Sequence, residues 1–370
     1  MSTPEVSAAR EAVRRGRILF LCPYPPGTAA SQRFRFEQYM PALREHGFEV
    51  DEVGFLDEDT WRLLYKPGHT ADKVRGVLAG FRRRLLLLRK ARHYDYVFIH
   101  LEAAPIGPPL IELALLALKR KIIYDIDDAI FVAKTSKENR LASMLRWRSK
   151  VAFLARRAYK VTAVNPFLVD WARQFRGDVI LLPTTIDPSY HRPPTVRVAS
   201  PRPILGWTGT KSTAPFLDLV RPVLVRLQDE VDFEFRIIAD ADPGLADLRH
   251  CRFVKWSQET EIADLQTFDV GLMPVPDTLF SKGKVGFKAI QYSAVGIPSV
   301  VSDVGSGREV VEDGRTGYVV PNTEEAWYRA LRCLLRNTEL RQQMGSAARE
   351  FILRRYSIPA QTPNYVGLFT

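Results

Sequence analysis

The chain has 370 residues, of which 46% are hydrophobic and 26% are charged. This length exceeds what one hydrophobic core usually organises, so we expect two domains of a globular protein. The three cysteines are scattered and lack metal-binding spacing, which argues against a disulfide framework or a zinc site and favours a reducing cytoplasm. The apolar run 18–22 is too short for a signal peptide or a membrane span, so we expect neither.

The net charge of +11 comes entirely from the N-terminal half of the chain. Residues 1–200 contain 33 Lys and Arg against 21 Asp and Glu, a net of +12, whereas the remainder contains 20 against 21, a net of −1. A uniformly alkaline protein would spread this excess along the chain. We therefore expect the N-terminal half to face an anionic partner.

Short apolar, β-rich runs alternate with amphipathic helical stretches in the first half of the chain. Strands are predicted at 17–22, 48–53, 95–100, 121–125, 160–164 and 178–182, and helices near 33–46, 72–92, 108–118, 138–158 and 166–175. Such alternation is typical of α/β domains with mainly parallel sheets.

Prolines punctuate the chain from Pro183 to Pro203, where neither a helix nor a central strand can continue. The alternation then resumes, with strands at 203–207, 233–239, 252–255, 268–273, 297–301 and 316–320, and helices near 213–228, 260–266, 286–294, 324–336 and 338–355. We predict an N-terminal domain at 1–185, a linker at 186–202, a C-terminal domain at 203–355 and a tail at 356–370. Two doubly wound halves of this kind hold a ligand in a cleft between their strand C-termini.

Two common nucleotide-binding motifs are missing from the sequence. A dinucleotide-binding half has G-x-G-x-x-G directly after its first strand, whereas strand 17–22 runs into Pro23-Tyr24-Pro25-Pro26-Gly27. The second half has Gly206-Trp207-Thr208-Gly209 after its first strand, again without the fingerprint, and no Walker-type motif is present. A dehydrogenase or a P-loop enzyme is therefore not expected.

Four segments of the second half occur in an order that is known from one family. They are Phe268-Asp269-Val270-Gly271-Leu272-Met273-Pro274, Lys284-Val285-Gly286-Phe287-Lys288-Ala289-Ile290-Gln291-Tyr292, Gly296-Ile297-Pro298-Ser299-Val300-Val301-Ser302 and Gly314-Arg315-Thr316-Gly317-Tyr318-Val319-Val320-Pro321. In the first half, the loop 23–27, the Asp-rich strand 124–128 and the linker entry 183–187 fit the same family. Over residues 17–357 the chain resembles the retaining glycosyltransferases of family 4, and within them a bacterial subgroup with an Asp-rich first-domain strand.

The resemblance implies a GT-B fold, in which two Rossmann-like domains face each other across a cleft. It implies a metal-independent enzyme without a cofactor that moves a sugar from a nucleotide-diphosphate sugar to a glycan or lipid-linked acceptor, with retention, in cell-surface polysaccharide or glycoconjugate synthesis. The C-terminal domain would bind the donor and the N-terminal domain the acceptor, and the tail would cross back to the N-terminal domain.

The sequence departs from the family at one motif. Members usually carry Glu-x7-Glu, whereas the aligned positions are Gly283 and Gln291. In the family the second glutamate binds the nucleotide ribose, a contact that glutamine can still make, and the first touches the donor sugar, which glycine cannot do. Lys284 and Lys288 instead resemble the K-x-G-x-K variant of the Asp-rich subgroup.

A donor site is predicted where helix 286–294 begins. Gly286 lets a phosphate approach the backbone, and Lys288 in the first turn opposes the helix dipole, which indicates a bound anion. Solvated surface charges are the alternative for Lys284 and Lys288. The resemblance adds Phe287 and Gln291, the loop residues Gly206, Trp207, Thr208, Gly209 and Lys211, and Lys255 with Trp256 near the nucleotide base. Helix capping beside Lys211 and structural packing of Trp256 are alternatives.

Catalytic and acceptor-binding candidates lie in the first half. His100 ends strand 95–100 and corresponds to a family histidine near the reacting anomeric carbon, where it would orient the donor sugar; a structural histidine is the alternative. Asp125 and Asp127 share one face of the next strand and could act as a base, whereas capping or pairing with arginine is the alternative. The acceptor-binding candidates are Gly27, Arg33, Arg35, Glu102 and Asp128.

Two basic segments suggest where the N-terminal half meets an anionic partner. Segment 73–92 has eight Lys and Arg and no acid, with Val74, Val77, Leu78, Phe81, Leu85 and Leu88 at helical spacing. Segment 140–157 is similarly basic. Both suit peripheral contact with an anionic membrane, at the inner face of the cell membrane, although an ordinary core-facing helix with a basic outer side fits as well. No nucleic-acid-binding motif is present, so no nucleic acid is expected.

Two other functions remain open from sequence. A sugar-nucleotide epimerase can share the GT-B fold and would consume donor without an acceptor. A non-catalytic nucleotide-sugar-binding protein would fit the loss of both motif glutamates.

Overall fold

The computed structural model describes residues 15–64, 66, 68–132, 147–196 and 200–370. Within these residues the strands form two six-stranded sheets whose paired strands run parallel. Helices follow most of the strands, as in doubly wound α/β domains. The predicted α/β architecture is confirmed.

The first sheet has the strand order β2-β1-β3-β4-β5-β6. Its strands are β1 (Gly16–Cys22), β2 (Phe48–Gly54), β3 (Tyr96–His100), β4 (Lys121–Ile126), β5 (Lys160–Ala163) and β6 (Val179–Leu181). The helices of this part are α1 (Ala30–Arg33), α2 (Met40–Glu45), α3 (Glu58–Leu64), α4 (Thr70–Leu88), α5 (Leu110–Ala117), α6 (Ser149–Arg157) and α7 (Pro166–Arg173). Each predicted strand is found within two residues of its predicted ends.

The second sheet has the order β12-β11-β10-β7-β8-β9. Its strands are β7 (Ile204–Gly209), β8 (Glu234–Ala239), β9 (Cys251–Lys255), β10 (Val270–Met273), β11 (Ser299–Ser302) and β12 (Gly317–Val320). The helices are α8 (Arg221–Leu227), α9 (Glu261–Leu265), α10 (Leu279–Lys282), α11 (Phe287–Ala294), α12 (Gly307–Val310), α13 (Glu324–Arg336), α14 (Thr338–Arg355) and α15 (Ile358–Val366). The short α10 and α12, like α3 in the first part, were not predicted because they offer too few turns for a helical period.

The chain forms two compact units. The first holds the described residues of Met1–Asp125, Met144–Val161 and Asn364–Thr370, and the second holds those of Ile126–Ser143 and Thr162–Pro363. The predicted boundaries, with a linker at 186–202, stay a prediction.

Two helices predicted as continuous are interrupted near a proline. The stretch predicted as 33–46 consists of the end of α1, a 3-10 turn at Glu37–Tyr39 and then α2, whose second residue is Pro41. The stretch predicted as 213–228 is a 3-10 turn at Ala214–Leu219 followed by α8, with Pro222 at its second position. Proline lacks an amide hydrogen and fits only the first turn, so the helix restarts there.

The C-terminal tail is helical rather than extended. Helix α15 continues into a 3-10 turn at Gly367–Phe369. Within the first unit, Tyr365 stacks on Tyr39 with ring centroids 4.1 Å apart, and Lys160 Nζ donates hydrogen bonds to the carbonyls of Gly367 and Leu368. Aromatic and backbone contacts therefore fix the last residues to the first unit.

Helix α4 presents an unexpected face to the core. Gly76, Gly80 and Arg84, spaced by four residues, are its buried side, whereas Val74, Leu78 and Leu85 are 54%, 62% and 59% exposed. A Cβ atom at Gly76 would lie 2.1 Å from Thr60 Oγ1, so close backbone packing selects this side. The interpretation of α4 as an ordinary core-facing helix with its apolar stripe buried is wrong for these three residues.

Arg84 is the most demanding residue of that buried side. Its guanidinium donates to the carbonyls of Ala103 at 2.7 Å, Val53 at 3.0 Å and Cys22 at 2.8 Å, and thereby joins three chain segments of the first unit. Burial lowers the pKa of Arg84 to about 10, so it remains a cation at neutral pH.

We expect Arg84→Met to lower the free energy of unfolding by about 3 kcal/mol or more, because three carbonyls lose their donor inside the protein. Arg82→Met is the matched control, since Arg82 lies exposed on the same helix and should change stability by less than about 0.5 kcal/mol. Urea denaturation of both variants measures the difference. Equal stability of the two would refute the structural role of Arg84.

Candidate functional site

A buried charged triad lies at the carboxyl end of β3 and β4 in the first unit. The strand register places His100 opposite Asp125. His100 Nδ1 lies 2.8 Å from Asp125 Oδ2, and Arg35 Nε lies 3.0 and 3.1 Å from the two carboxylate oxygens. The side chains of all three residues are fully buried.

Arg35 determines the protonation state of this triad. Burial alone would raise the pKa of Asp125, but the charge of Arg35 and the hydrogen bonds from His100 and Arg35 hold it well below its usual range. An ionised carboxylate can only accept hydrogen bonds, so Nδ1 of His100 carries the proton. In the neutral ring Nε2 is then an acceptor, and within the described residues this buried atom has no hydrogen-bond partner.

This geometry gives Asp125 and Arg35 roles that differ from those predicted for them. Asp125, a catalytic candidate, lies inside the protein and orients His100, while Arg35, an acceptor-binding candidate, is committed to Asp125. The next residue, Leu101, has φ of 59°, in the left-handed region that costs a residue with a side chain about 1 kcal/mol. This left-handed conformation of Leu101 turns the chain sharply after His100.

The loop that follows β1 is held by polar side chains of the first unit. The amide of Gly27, which has φ of 74°, donates to both carboxylate oxygens of Glu37 at 3.0 and 3.1 Å. Gln32 accepts from the amide of Tyr24 and donates to the carbonyl of Tyr24 and to Glu37. Gly27 therefore belongs to a preorganised loop.

A second carboxylate lies beside this loop. Burial, the charge of Glu37 and a hydrogen bond with Glu37 raise the pKa of Glu52 to about 8. At neutral pH Glu52 therefore keeps a proton, which allows two carboxyl groups to share a partly buried space.

The remaining acceptor-binding candidates of the first unit lie in different surroundings. Glu102 is buried and 3.3 Å from the ammonium of Lys150, whose side chain is buried as well. Arg33 is half-buried in α1, with its guanidinium 4.8 Å from the ring centre of Phe34. Arg33 and Glu102 therefore each lie beside a different side chain, Phe34 and Lys150 respectively.

In the second unit, the start of α11 forms a cationic pocket. Gly286 precedes the helix with φ of 75°, and no side chain caps the helix N-terminus. Lys288 in the first turn is half-buried, and within the described residues no hydrogen bond or carboxylate contact is found for its ammonium. Burial and the neighbouring charge of Lys284 lower the pKa of Lys288 to about 8.

The loop after β7 meets the same helix. Lys288 Nζ lies 5.6 Å from the ring centre of Trp207, and the amide of Thr208 donates to the hydroxyl of Tyr292 at 3.0 Å. Trp207 is buried in the core of the second unit, so its side chain anchors the loop to that core. Gly206 is needed for this packing, because a Cβ there would lie 2.1 Å from the ring of Phe268.

The other donor-binding candidates near this loop differ in how exposed their side chains are. Lys211 is exposed, and its amide donates to Asp240 at 2.6 Å. Lys255 is exposed at the end of β9, and Trp256 is half-buried against the apolar cluster of Ile238 and Leu265. Gly209 closes β7 under the ring of Trp207.

Two candidates have side-chain partners that the sequence did not reveal. Gln291 is buried, and its Nε2 lies 3.4 Å from Nε2 of His191. Lys284 Nζ lies 2.8 Å from Asp128 Oδ2 and 4.4 Å from the ring centre of Phe280. Phe287 packs against an apolar cluster that includes Val310, and Asp127 is buried after the end of β4.

Sequence reasoning missed several residues that hold these sites together. They are Gln32, Glu37, Asn165, His191 and Tyr292. Asn165 carried a signal, since Asn-Pro is a helix-start signature, and its side chain accepts from the amide of Leu168 at the start of α7. The others gave no signal, because a buried polar residue is visible only once its partner is placed.

The described part of the chain also bears on metal binding and on membrane insertion. In that part, no group of three or more His, Cys, Asp or Glu side chains is arranged to hold a metal ion. Metal independence stays a prediction. Among the helices that the structure describes, none is both long and apolar enough to cross a bilayer.

Residues 203–337 match the model of the family described as glycosyl transferases group 1. This range contains the cationic pocket of α11 and the loop after β7. The predicted resemblance to glycosyltransferases is thereby confirmed, as is the predicted class of enzyme, whereas membership of family 4 and of its Asp-rich subgroup stays a prediction. No curated protein matches the chain.

Solved glycosyltransferase structures share the fold. Sucrose-phosphate synthase from Thermosynechococcus elongatus has a TM-score of 0.68 at 15% identity, over 95% of this chain and 98% of that one. A glycosyltransferase from Rickettsia africae ESF-5 has a TM-score of 0.68 at 14% identity, over 95% and 97%. Anabaena HepE in complex with UDP and glucose has 0.65 at 13% identity, over 95% and 98%. At such identities the likeness concerns the fold, and the predicted GT-B fold is confirmed.

We expect Glu52 to make stability fall with pH. Because its pKa is about 8 when folded against an ordinary 4.5, the folded protein holds the extra proton between these values. The stabilisation is complete below about pH 4.5 and is lost as pH rises through 8. Glu52→Gln, which cannot ionise, should flatten the melting temperature between pH 5 and 8 relative to wild type.

Glu45→Gln is the control for this measurement, because Glu45 is exposed on α2. Thermal melts at half-unit steps of pH compare the three proteins. A wild-type melting temperature that is as flat as that of Glu52→Gln would contradict the shared proton.

Proposed function

We propose that this glycosyltransferase transfers a sugar from a nucleotide-diphosphate sugar to a glycan or lipid-linked acceptor, with retention and without a metal, in the synthesis of cell-surface polysaccharide or glycoconjugate. The family match of residues 203–337 supports the class of reaction. HepE, which has the same fold, was solved with UDP and with UDP-glucose, and this supports a uridine nucleotide as the first donor to test.

The observation that carries the proposal is the cation at the start of α11. A half-buried lysine against the positive end of a helix destabilises the protein unless an anion binds there. The positive end of the helix dipole and the ammonium of Lys288 together supply what a diphosphate needs. Gly286 allows the close approach, since its backbone is left-handed and its position lacks a side chain.

The chemistry follows from these groups. When the bond from the anomeric carbon to the diphosphate breaks, negative charge develops on the leaving phosphate, and Lys288 with the helix amides stabilises it. In the first unit, His100 is held by Asp125 in the tautomer with a bare Nε2, which offers an acceptor to a sugar hydroxyl. Arg35 keeps Asp125 ionised, so the carboxylate that orients His100 remains a hydrogen-bond acceptor at neutral pH.

The direct test is Lys288→Ala in a thermal-shift titration with UDP, GDP and ADP. One nucleotide should raise the melting temperature of wild type, and the variant should lose that rise, because the buried diphosphate loses its cation. Lys282→Ala is the control, since Lys282 is an exposed lysine of the same loop. A wild-type protein that is stabilised by none of these nucleotides at millimolar concentration would overturn the donor site.

We also propose that α4 carries the protein to an anionic membrane surface where a lipid-linked acceptor would lie. The exposed Val74, Leu78 and Leu85 share one side of the helix, and the exposed Arg75 and Arg82 flank it. Apolar side chains bordered by arginines are the features by which a helix lies in a bilayer interface.

The second predicted membrane segment receives less support. Residues 140–146 lie outside the described residues, and α6 turns Val151, Leu154 and Ala155 into the core, leaving Arg156 and Arg157 exposed. That is the arrangement of a core-facing helix with a basic outer side. The membrane proposal therefore rests on α4.

Co-sedimentation with vesicles containing phosphatidylglycerol tests this surface. We expect the double variant Leu78→Ser, Leu85→Ser to bind at least about fivefold more weakly than wild type, because two inserted side chains are lost. Leu279→Ser removes an equally exposed leucine from the second unit and should bind as wild type does. Equal binding by all three proteins, or none by wild type, would refute the role of α4.

A further inference from the structure

The loop before α11 contains an ion pair that the proposed function leaves unexplained. Within the second unit, Lys284 Nζ lies 2.8 Å from Asp128 Oδ2, with the two side chains 34% and 25% exposed. Lys284 lies close enough to Lys288 to lower the pKa of that lysine. One cation of the pocket is therefore paired with a carboxylate, whereas the other is not.

The position of Asp128 is fixed by backbone packing. A Cβ atom at Gly283 would lie 2.7 Å from the Cβ of Ala129 and 2.9 Å from its amide nitrogen, so only glycine permits this contact. Asn165 Nδ2 donates to the carbonyls of Lys282 at 3.1 Å and Lys284 at 3.3 Å. The contact at Gly283 thus holds Ala129, and with it the neighbouring Asp128, against a loop that Asn165 fixes, without involving the charge of Asp128.

This packing gives a physical reason for the departure at position 283. The family motif has a glutamate there, but any side chain would displace Ala129. The loop that lacks its own carboxylate at 283 instead receives the carboxylate of Asp128 from a segment distant in sequence, 156 residues before Lys284.

We propose that Asp128 is the internal counter-ion of the donor loop, which competes with the diphosphate for Lys284 and so sets nucleotide affinity and product release. The inference rests on the proposed function, because it takes the anion at Lys288 to be a diphosphate. A diphosphate that recruits Lys284 must separate it from Asp128 and then lie beside a carboxylate, and both effects oppose binding. The same repulsion speeds departure of the nucleoside diphosphate, a step that often limits turnover.

The experiment measures the dissociation constants of UDP and of inorganic pyrophosphate by isothermal titration calorimetry. We expect Asp128→Asn to bind both ligands about two- to fivefold more tightly than wild type, in keeping with a partly exposed ion pair. In a Lys284→Met background the same substitution should produce a clearly smaller gain, because the competitor acts through that lysine. Pyrophosphate makes the test independent of the nucleotide base.

Asp277→Asn is the matched control. Its carboxylate lies 3.5 Å from the ammonium of Lys282 on the same loop, with both side chains exposed, so it removes an equal charge without freeing Lys284. Gly283→Ala is the second variant, since its added methyl group should push Ala129 and Asp128 away while the carboxylate is retained. We expect it to tighten pyrophosphate binding too.

The outcomes separate this inference from the proposed function. If wild type binds UDP and Lys288→Ala does not, but Asp128→Asn binds no more tightly than wild type, the counter-ion role is refuted and the donor site stands. Equal tightening by Asp277→Asn would also refute it, since the effect would then be general charge removal. If wild type binds neither UDP nor pyrophosphate, both proposals fall.

Discussion

The carboxylate of Asp125 lies entirely inside the first unit, and the geometry of the neighbouring groups depends on its charge. An isolated ionised carboxylate in such a place costs several kcal/mol, so partners are required. Arg35 donates to it from both Nε and Nη2, and His100 contacts it through Nδ1, so the guanidinium is committed to Asp125 and the imidazole tautomer is fixed. The parallel register of β3 and β4 places His100 directly beside Asp125, so this contact needs no loop rearrangement.

The second unit treats its buried charge in the opposite way. Lys288 is half-buried at the positive end of α11, and no carboxylate of the described residues pairs with it. Burial and the charge of Lys284 lower its pKa. A lysine with a purely structural role is expected to have a carboxylate partner, as Lys150 has Glu102 in the first unit. The uncompensated cation is therefore better explained by a ligand than by stability, and this contrast supports the proposed donor site.

The sequence was sufficient for the strands and for the class of fold, because buried parallel strands are short apolar runs with clear ends. It was insufficient for α4, where hydrophobic spacing pointed to Val74, Leu78 and Leu85, while close packing buried Gly76, Gly80 and Arg84 instead. Periodicity records which side chains are apolar, but it does not record which side of a helix another segment can approach. Glycine allows the nearer approach, so it can override the apolar pattern.

The residues of the candidate site also differ in whether their role can be seen from neighbouring residues in the sequence. Gly286 and Lys288 were predicted because they are close in sequence and their meaning is local, a helix start with a cation. Pairing of Asp125 with an arginine was one alternative from sequence, but Arg35 was not identified as that arginine, since the two residues are 90 positions apart.

The role of Gly283 also depends on residues that are distant in sequence. Compared position by position, it is a lost glutamate and favours a protein that binds without turnover. In the fold, the missing side chain admits Ala129, and with it the carboxylate of Asp128 reaches Lys284. In the proposed counter-ion role, that carboxylate weakens diphosphate binding at Lys284 and speeds product release. Asp128 does not replace the sugar contact of the family glutamate, but the loop still has a carboxylate beside it, so the departure from the motif does not by itself favour binding without turnover.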